Sequence, residues 1–490
     1  MLKRLLLGLV ALFALLVLIV AVNTWRQGSR QVDVPPLAPI ALDEKAAAES
    51  LSAAIRAKTV SSRDDAALNA DQFQALHAHL QARYPKLHAA LKREVVAGLS
   101  LLYTWPGSDP SLPAVVLMAH QDVVPIAPGT EKDWLHEPFS GDVADGFVWG
   151  RGAWDDKSSL VSYLEAVEML AASGAQPKRT LIIASGHDEE VGGLRGAREI
   201  AALLDSRGVK LEFVIDEGMI VTTGIVPTIA RPVAQIGLAE KGYVTLSVTA
   251  EGAPGHSSMP GKDSVIGAVA SGVEKLQANQ MPARLDGVAR QSLEQLAPEM
   301  APLNRVVLSN LWLTKPLATS ILAQSGGSNA LIRTTTALTV FNAGSKENVL
   351  PGKAEALVNF RIAPGDSVAS VLDHARYVVG NPLLKVAVYG HSREASPVSP
   401  SDSAAYRLIE KTIRETLPDA VTAPGLVIAG TDSRNMAPLT QNIYRFIPVR
   451  AGPGDLARFH GTNERIGIDN YAELIAFFHR LITVSAIEGR

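Results

Sequence analysis

The chain has 490 residues, of which 47% are hydrophobic and 19% charged, an ordinary globular composition long enough for two or three folded units. Its 46 Lys and Arg residues are balanced by 49 Asp and Glu residues, and no basic block stands out. The chain therefore lacks the clustered positive charge of a nucleic-acid-binding protein. The absence of cysteine excludes disulfides, a thiolate nucleophile and Cys-ligated zinc, so every metal ligand must be nitrogen or oxygen.

The amino terminus predicts a membrane-targeting element over residues 1–24. Lys3 and Arg4 precede an uninterrupted apolar stretch from Leu5 to Val22, which approaches the length needed to span a bilayer as a helix. The exit from this stretch has no convincing small-x-small cleavage site, which favours an uncleaved anchor over a signal peptide, with Trp25 near the membrane interface. We expect the body to lie outside the cytoplasm, in the periplasm or extracellular space, and to be secreted if the helix is cleaved.

A proline-punctuated linker over residues 25–41 separates this element from the body. From residue 42 to 236, apolar runs alternate with helical patterns, which predicts βαβ units and a mainly parallel sheet with helices on both faces. The helical patterns cover about 43–58, 71–84, 158–172 and 195–206. The sequence therefore predicts an α/β domain.

The pattern changes after Ile236. Alternating apolar and polar residues with high β-propensity at 241–250, 334–341 and 355–362 predict half-exposed antiparallel strands, and helical stretches occur at 264–277 and 368–379. We interpret residues 237–395 as a smaller α+β domain of a lid or dimerisation type. It is inserted into the larger domain, which resumes over residues 396–490.

Acidic residues and histidines follow the apolar runs of the larger domain. The runs 114–119, 181–184 and 213–215 lack polar alternation and predict strands buried on both faces. In open α/β sheets functional groups gather beyond the carboxyl ends of the strands, where His120, Glu189, Glu190 and Asp216 would lie. Together with Asp155 and the distant His460, they form a donor set suited to a pair of zinc sites.

Each cluster taken alone also has a structural interpretation. His120 and Asp122 leave an extended strand on the same face, so the pair can be a metal ligand with its orienting carboxylate or a capped strand-end histidine. Glu189 and Glu190 can be a ligand and a base or the first turn of a helix, and Asp155 can be a helix N-cap or a metal bridge.

Eight motifs in unbroken order, from about residue 45 to the carboxyl end, carry a resemblance to a known family. They are HQDVVP (120–125), GRGAWDDK (150–157), GHDEEVGG (186–193), DEG (216–218), GHSSMP (255–260), NVLP (348–351), GTDSRN (430–435) and FHGTNE (459–464). The chain resembles the dizinc metallopeptidase family that includes carboxypeptidase S, glutamate carboxypeptidase and aminoacylase. The carboxypeptidase S branch, with its secreted N-acyl amino acid hydrolases, is the most similar.

The resemblance implies a ligand set for two Zn²⁺ ions per subunit, with Co²⁺ or Mn²⁺ as possible substitutes. Asp155 would bridge the two ions. His120 and Asp216 would complete one metal site, and Glu190 and His460 would complete the other.

The resemblance also implies the remaining roles. Asp122 would orient His120, Glu189 would be the general base, and His256 would stabilise the oxyanion, in its own chain or in a partner's site if the protein is a homodimer. Residues that would bind the substrate are Arg361, Asn329, Gly430 and Thr431.

Four other histidines are less informative. His187 stands where many relatives carry a small hydroxyl residue, and it could tune the base or simply pack. His77, His79 and His88 lie on polar helical stretches, and we expect them to face solvent.

The implied reaction is hydrolysis of the amide that joins an acyl or peptidyl group to an amino acid with a free carboxylate. One alternative is an N-fatty-acyl amino acid amidohydrolase or synthase that uses the same site. A second alternative is a non-catalytic, membrane-tethered binding module on the same fold.

Overall fold

The computed structural model describes all residues from 1 to 490. Its helices are α1 (Leu2–Arg26), α2 (Glu44–Arg56), α3 (Ala70–Arg83), α4 (Pro85–Ala90), α5 (Lys157–Ala172), α6 (Ala197–Ser206), α7 (Val265–Ala278), α8 (Gly287–Leu296), α9 (Pro302–Ser309), α10 (Leu311–Leu322), α11 (Gly326–Ile332), α12 (Val368–Val379), α13 (Ala404–Thr416) and α14 (Ile468–Ile482).

The strands are β1 (Lys92–Val96), β2 (Ser100–Trp105), β3 (Ala114–His120), β4 (Val143–Ala144), β5 (Phe147–Trp149), β6 (Leu181–Gly186), β7 (Leu211–Asp216), β8 (Val221–Thr222), β9 (Val233–Glu240), β10 (Gly242–Glu251), β11 (Gly255–His256), β12 (Thr335–Ala343), β13 (Val349–Leu350), β14 (Lys353–Ile362), β15 (Lys385–Arg393), β16 (Val421–Val427), β17 (Ile443–Arg445), β18 (Arg450–Ala451) and β19 (Arg465–Gly467).

The larger sheet has ten strands in the order β1-β2-β6-β3-β7-β17-β9-β8-β18, with β16 also paired to β9. Its middle is parallel, because β6, β3, β7 and β17 run in the same direction. The pairs β1–β2, β2–β6, β17–β9 and β8–β9 are antiparallel. The sheet is thus mixed, whereas the sequence predicts a mainly parallel one.

Helices cover both faces of this sheet, as predicted. Successive residues of β3 point to opposite faces. Val115 and Leu117 join a core that includes α5 and α14, whereas Val116 and Met118 join a second core against α6. Both faces of β3 are therefore buried, which explains its unbroken apolar sequence.

A second, antiparallel sheet has the order β12-β14-β10-β15 and a core of its own with α7 and α12. The chain enters it directly from the larger sheet, since β9 continues to Glu240 and β10 begins at Gly242. The chain therefore changes sheets at Lys241, whereas the sequence predicts the boundary at Gly237.

Helices α8 to α11 form a further unit that the sequence pattern does not predict. They enclose a small core that includes Leu285, Leu308 and Leu311, and α8 packs against β16 of the larger sheet. The amino-terminal α1 is the one helix long and apolar enough to cross a membrane, with a mean hydropathy of 3.3 over its best window and none of that window buried.

Candidate metal centre and substrate site

The two histidines of the predicted donor set contact the same carboxylate, that of Asp155. Nε2 of His120, at the end of β3, lies 2.9 Å from Oδ1 of Asp155, and Nε2 of His460 lies 2.9 Å from Oδ2 of the same residue. A second carboxylate completes this group, because Oε2 of Glu190 lies 3.4 Å from Nε2 of His460. Each oxygen of Asp155 thus faces a different imidazole, the arrangement expected of a bridging ligand.

The local chain geometry explains how Asp155 is presented. It lies in the turn that leads into α5, and it is joined to Asp156 by a cis peptide bond. Glu464 accepts hydrogen bonds from the amides of Gly152, Trp154 and Asp155 at 2.9, 2.9 and 3.2 Å. A buried carboxylate from the carboxyl-terminal segment therefore fixes the backbone of this turn.

Arg151 connects the same turn to the segment that carries His460. Its guanidinium lies 2.5 Å from Glu464 and donates to the carbonyl oxygens of His460 and Gly461 at 3.1 and 3.0 Å. Arg151 and Glu464 are both almost fully buried, so this pair joins the two segments in a low-dielectric environment. Both residues lie within motifs noted in the sequence, but the sequence alone gave them no role.

Asp122 holds four groups in place. The Nδ1 of His120 donates to the carbonyl oxygen of Asp122 at 2.8 Å and lies 3.4 Å from its carboxylate. The carboxylate accepts the amides of Glu189 and Glu190, both at 3.1 Å, and the hydroxyl of Ser61 at 2.6 Å. The Nε2 of His120 is left to face the acidic cluster, which is the tautomer a metal ligand requires.

Burial shapes the protonation of the cluster. It raises the pKa of Glu189 to about 7 and that of Glu190 to about 10, and neighbouring carboxylates add to the rise. Burial lowers the pKa of His120, but its contacts with Asp122 and Asp155 outweigh this effect and leave the pKa well above its usual range. Oε1 of Glu190 is buried without a hydrogen-bond partner. Crowded carboxylates and an unsatisfied buried oxygen fit a site built for cations.

The structure offers two candidates, Asp216 and Glu217, for the last carboxylate ligand. Asp216 ends β7, but its Oδ2 accepts the amide of Ser433 at 2.8 Å. Its neighbour Glu217 instead places Oε1 at 3.6 Å from Nε2 of His120, and Glu217 groups with His120 and Asp156 as possible metal donors. Glu217 is thus a candidate that the sequence analysis missed, although it stands inside the DEG motif.

The two predicted glycine-loop residues lie beside a cluster of guanidinium groups. Thr431 donates from its amide and hydroxyl to Glu240 at 2.9 and 3.0 Å. Position 430 leaves no room for a side chain, because Arg393 and Arg434 occupy the space that a Cβ would need. These residues line the side of the site that faces the second sheet.

Two arginines from the second sheet have no hydrogen-bond or ion-pair partner. Arg361, on β14, is placed over the ring of Tyr243 at 5.1 Å. Arg393, at the end of β15, has a pKa lowered to about 10 by burial and by the charge of Arg434, while Glu240 and Glu189 oppose that shift. Guanidinium groups that are left unpaired in this way suit an anionic ligand. Arg393 was not predicted, because nothing in its local sequence distinguishes it.

Two predicted residues are not brought into the cluster. His256 is exposed on β11, and its ring hydrogen bonds only with Ser258, whose amide donates to Nδ1 at 3.2 Å and whose hydroxyl lies 2.8 Å from the same nitrogen. Asn329 lies on α11 next to Ala330, whose carbonyl accepts from Lys241, and its Oδ1 is buried without a partner.

The expectation for the helical histidines is wrong for His77. It is 7% exposed, and its Nε2 lies 2.6 Å from Oε1 of Gln121, which in turn donates to two backbone carbonyls. His187 is also buried, with Nδ1 at 2.6 Å from the Ser100 hydroxyl. Both imidazoles therefore support the backbone behind the cluster.

Comparison with known proteins identifies the family to which this arrangement belongs. The model of "Peptidase family M20/M25/M40" matches residues 116–484, a range that contains every residue of the cluster. The chain belongs to the M20 peptidase family.

Relatives of this M20 peptidase include two kinds of named enzyme. Probable carboxypeptidase S-like 2 of Dictyostelium discoideum is 38% identical over 95% of this chain and 91% of its own length. N-fatty-acyl-amino acid synthase/hydrolase PM20D1 of Homo sapiens is 43% identical over 80% of this chain and 78% of its own. Carboxypeptidase S of Saccharomyces cerevisiae is 31% identical over 84% and 78%.

Solved structures confirm the fold. An M20 family metallo-carboxypeptidase, Sso-CP2 from Sulfolobus solfataricus, matches 90% of this chain and 98% of its own with a TM-score of 0.62 at 17% identity. Human carnosine dipeptidase 1 matches 89% and 95% with a TM-score of 0.61 at 14% identity. The predicted family and the prediction of a hydrolytic enzyme are both confirmed.

Proposed function

We propose that this M20 peptidase hydrolyses the amide bond between an acyl or peptidyl group and an amino acid with a free carboxylate. The observation that carries the proposal is the convergence of His120, Asp155, Glu190 and His460, beside which Asp122 holds the amide of Glu189 and burial raises the pKa of Glu189 to about 7. The metal donors and Glu189 suit the activation of a water molecule. The guanidinium of Arg393 suits the free carboxylate of the substrate.

The donors suit two zinc ions, which His120, Asp155, Glu190 and His460 would hold together with Asp216 or Glu217. Zinc, when bound, would act as a Lewis acid that makes water more acidic and polarises the substrate carbonyl. Nitrogen and carboxylate donors also accept Co²⁺ or Mn²⁺.

The residues of the chain perform the remaining steps. Glu189 accepts a proton from the attacking water and returns it to the nitrogen of the leaving amine. Arg361 and Arg393, with the Gly430–Thr431 loop and Asn329, bind and orient the substrate. His256 donates a hydrogen bond to the oxyanion, from its own chain after the second sheet moves or from a second copy in a homodimer.

The experiment compares Glu189→Gln with Glu199→Gln, a control on the exposed face of α6. Turnover of an N-acyl amino acid by Glu189→Gln should fall by about a thousandfold or more, the scale lost with a central catalytic group. Zinc content, measured by mass spectrometry, should remain at the parent value. Parent-like turnover in the metal-loaded variant would contradict the assignment of the base.

A fatty-acyl substrate is a second candidate, favoured by the 43% identity to the human enzyme named N-fatty-acyl-amino acid synthase/hydrolase PM20D1. This candidate predicts faster hydrolysis of N-long-chain-acyl amino acids than of N-blocked dipeptides. The reverse preference would favour the carboxypeptidase activity.

We also propose that α1 crosses a membrane with the body outside the cytoplasm. Its length, its exposed apolar surface and the flanking charges support an anchor. Protease protection of the body in sealed membrane vesicles of known orientation tests this topology.

A further inference from the structure

The helical unit carries an exposed apolar face outside the active site. Leu303, Trp312, Leu317 and Ile321 are each more than half exposed, at 75, 61, 54 and 54%, and Leu313 lies beside them. Leu313, Leu317 and Ile321 recur at every fourth position of α10 and therefore share one face of the helix. Large apolar side chains so close together on a surface mark an interaction site.

The same unit is where α1 meets the body. Asn23 donates to the carbonyl oxygen of Ser309 at 2.7 Å and to Oδ1 of Asn310 at 3.0 Å. Asn310 donates in turn to the Thr24 hydroxyl at 2.9 Å, and Arg305 donates to the carbonyl oxygen of Gln27 at 2.7 Å. These bonds fix the start of α10 beside the last turns of the apolar helix.

One stripe of α1 makes this contact. Its half-buried residues are Leu16, Val20, Asn23, Thr24 and, just past its end, Gln27, which recur at helical spacing, while the rest of the helix is exposed. The polar members of the stripe are hydrogen-bonded to the body, as polar groups near lipid must be.

The position along α1 fixes the depth at which α10 would lie. The apolar stretch from Leu5 to Val22 would extend about 27 Å at 1.5 Å per residue, close to the roughly 30 Å of a bilayer core. Val20 and Thr24 then lie at the interface on the body side, and Asn310 contacts both of them. The exposed face of α10 therefore starts at the level of the lipid headgroups.

The positive charge of α9 and α10 also suits a position at a membrane surface. Over α9 and α10, residues 302–322, the chain has no Asp or Glu, and its two charged residues are Arg305 and Lys315, although the whole chain carries a net charge of −3. Basic residues near a membrane surface attract anionic lipids, and Trp is favoured at the interface.

We propose that the apolar face of α9 and α10, formed by Leu303, Trp312, Leu313, Leu317 and Ile321, lies in the headgroup layer of a bilayer containing anionic lipid. This is the bilayer that α1 crosses, so the inference rests on the proposed span. The body is then held at two places, and it cannot rotate freely about a single anchor.

The absence of cysteine makes the test direct. Leu317→Cys and Ile321→Cys, each labelled with a nitroxide in the full chain, are compared with Leu383→Cys, a 53% exposed leucine of the second domain, and with Leu9→Cys inside α1. The proteins are reconstituted at one copy per nanodisc of phosphatidylcholine and phosphatidylserine. Collision rates of each label with oxygen, which enters lipid, and with a water-soluble nickel complex are then measured.

Labels at 317 and 321 should collide with nickel several-fold less than the label at 383, while their collision with oxygen remains high. Nickel access at 317 equal to that at 383 would overturn the docking surface. Protection from both reagents would also overturn it, because protein would then cover the face. A label at position 9 that is open to nickel would refute the span itself, so the two failures are distinguishable.

Discussion

Asp155 and its neighbours explain the chemistry of the site at the scale of single residues. Its two oxygens face two imidazoles that come from opposite ends of the larger domain. Asp122 then holds His120 and the amides of Glu189 and Glu190, so the proposed ligand, bridge and base depend on each other's position. Small displacements of any one of them should therefore affect metal binding.

The last carboxylate ligand can be assigned by metal content. Glu217 is nearer to His120 than Asp216, whose carboxylate is held by the Ser433 amide. If Glu217 binds the metal, Glu217→Gln should lose about one zinc ion per chain, because three or four ligands complete a site. Asp216→Asn is the matched variant, and loss of zinc from it alone would restore the assignment expected from the sequence.

Arg393 should act on substrate binding rather than on the chemical step. A guanidinium that binds a carboxylate contributes about 1.5–3 kcal/mol, so Arg393→Ala should raise KM by roughly tenfold or more. A substrate with an amidated carboxyl end should show little difference between parent and variant. Arg407→Ala, an exposed arginine on α13, is the control. An equal loss on both substrates would show that Arg393 does not read the carboxylate.

The sequence predicts these residues unevenly, for physical reasons. His120 and Asp155 stand in recognisable motifs, and the structure brings them together with Glu190 and His460. The DEG motif contains two neighbouring carboxylates, and the backbone conformation after β7 decides which of them faces the cluster. That conformation cannot be inferred from the motif alone. His77 is buried because Gln121 needs a partner behind the strand, a contact between distant segments that no helical pattern reveals.

At the scale of elements, the buried pair of Arg151 and Glu464 joins two loops into one unit. Glu464 fixes three amides of the turn before α5, and Arg151 binds the backbone around His460. The Arg151–Glu464 pair therefore positions the loops that carry Asp155 and His460, although it lies outside the proposed metal cluster.

Glu464→Gln tests this positioning role with little change in shape. Removing one charge of a buried pair costs about 3–5 kcal/mol of stability, and disturbing groups behind metal ligands lowers metal affinity about 10–100-fold. Competition with a zinc-binding dye measures the affinity, and thermal unfolding measures the stability. Glu473→Gln, from the more exposed pair with Arg450, should change both much less. A folded Glu464→Gln variant with parent zinc affinity would refute the positioning role.

Strong periodicity makes most elements predictable, and its absence explains the omissions. The buried strand β3 and the helix α12 agree with the sequence pattern within a residue or so. Helices α8 to α11 are missed because α9 and α11 have only eight and seven residues, α10 contains Pro316, and the four pack against β16 and each other. Their stability comes from tertiary contacts that local sequence does not specify.

At the scale of the whole molecule, the site lies where the two sheets meet. Arg361 and Arg393 come from the second sheet, and Gly430 and Thr431 from the larger domain. The chain crosses between the sheets at Lys241, and the buried ammonium there donates to carbonyls of the helical unit at 3.0 and 2.8 Å. The proposed substrate contacts thus depend on how three packed units are arranged.

Metal removal should destabilise the entire chain. Without cations the crowded carboxylates around Asp155 and Glu190 must repel one another or take up protons, and a ligand at a thousandfold excess over its Kd stabilises the native state by about 4 kcal/mol. Treatment with EDTA should therefore lower Tm by several degrees, and added zinc should restore it. His460→Ala should show a smaller shift, and identical Tm values for parent with and without chelator would contradict the prediction.

The strand order of the larger sheet has a consequence for biosynthesis. β17 pairs with β7 on one side and β9 on the other, yet the whole second sheet and the helical unit are made between β9 and β17. A growing polypeptide therefore leaves the ribosome with the edge of β7 open, a surface prone to mispairing, until residues 443–445 emerge to fill the gap. Formation of the larger sheet should thus be slow, because Ile443 of β17 can pair with Val214 of β7 only after all the intervening residues are made.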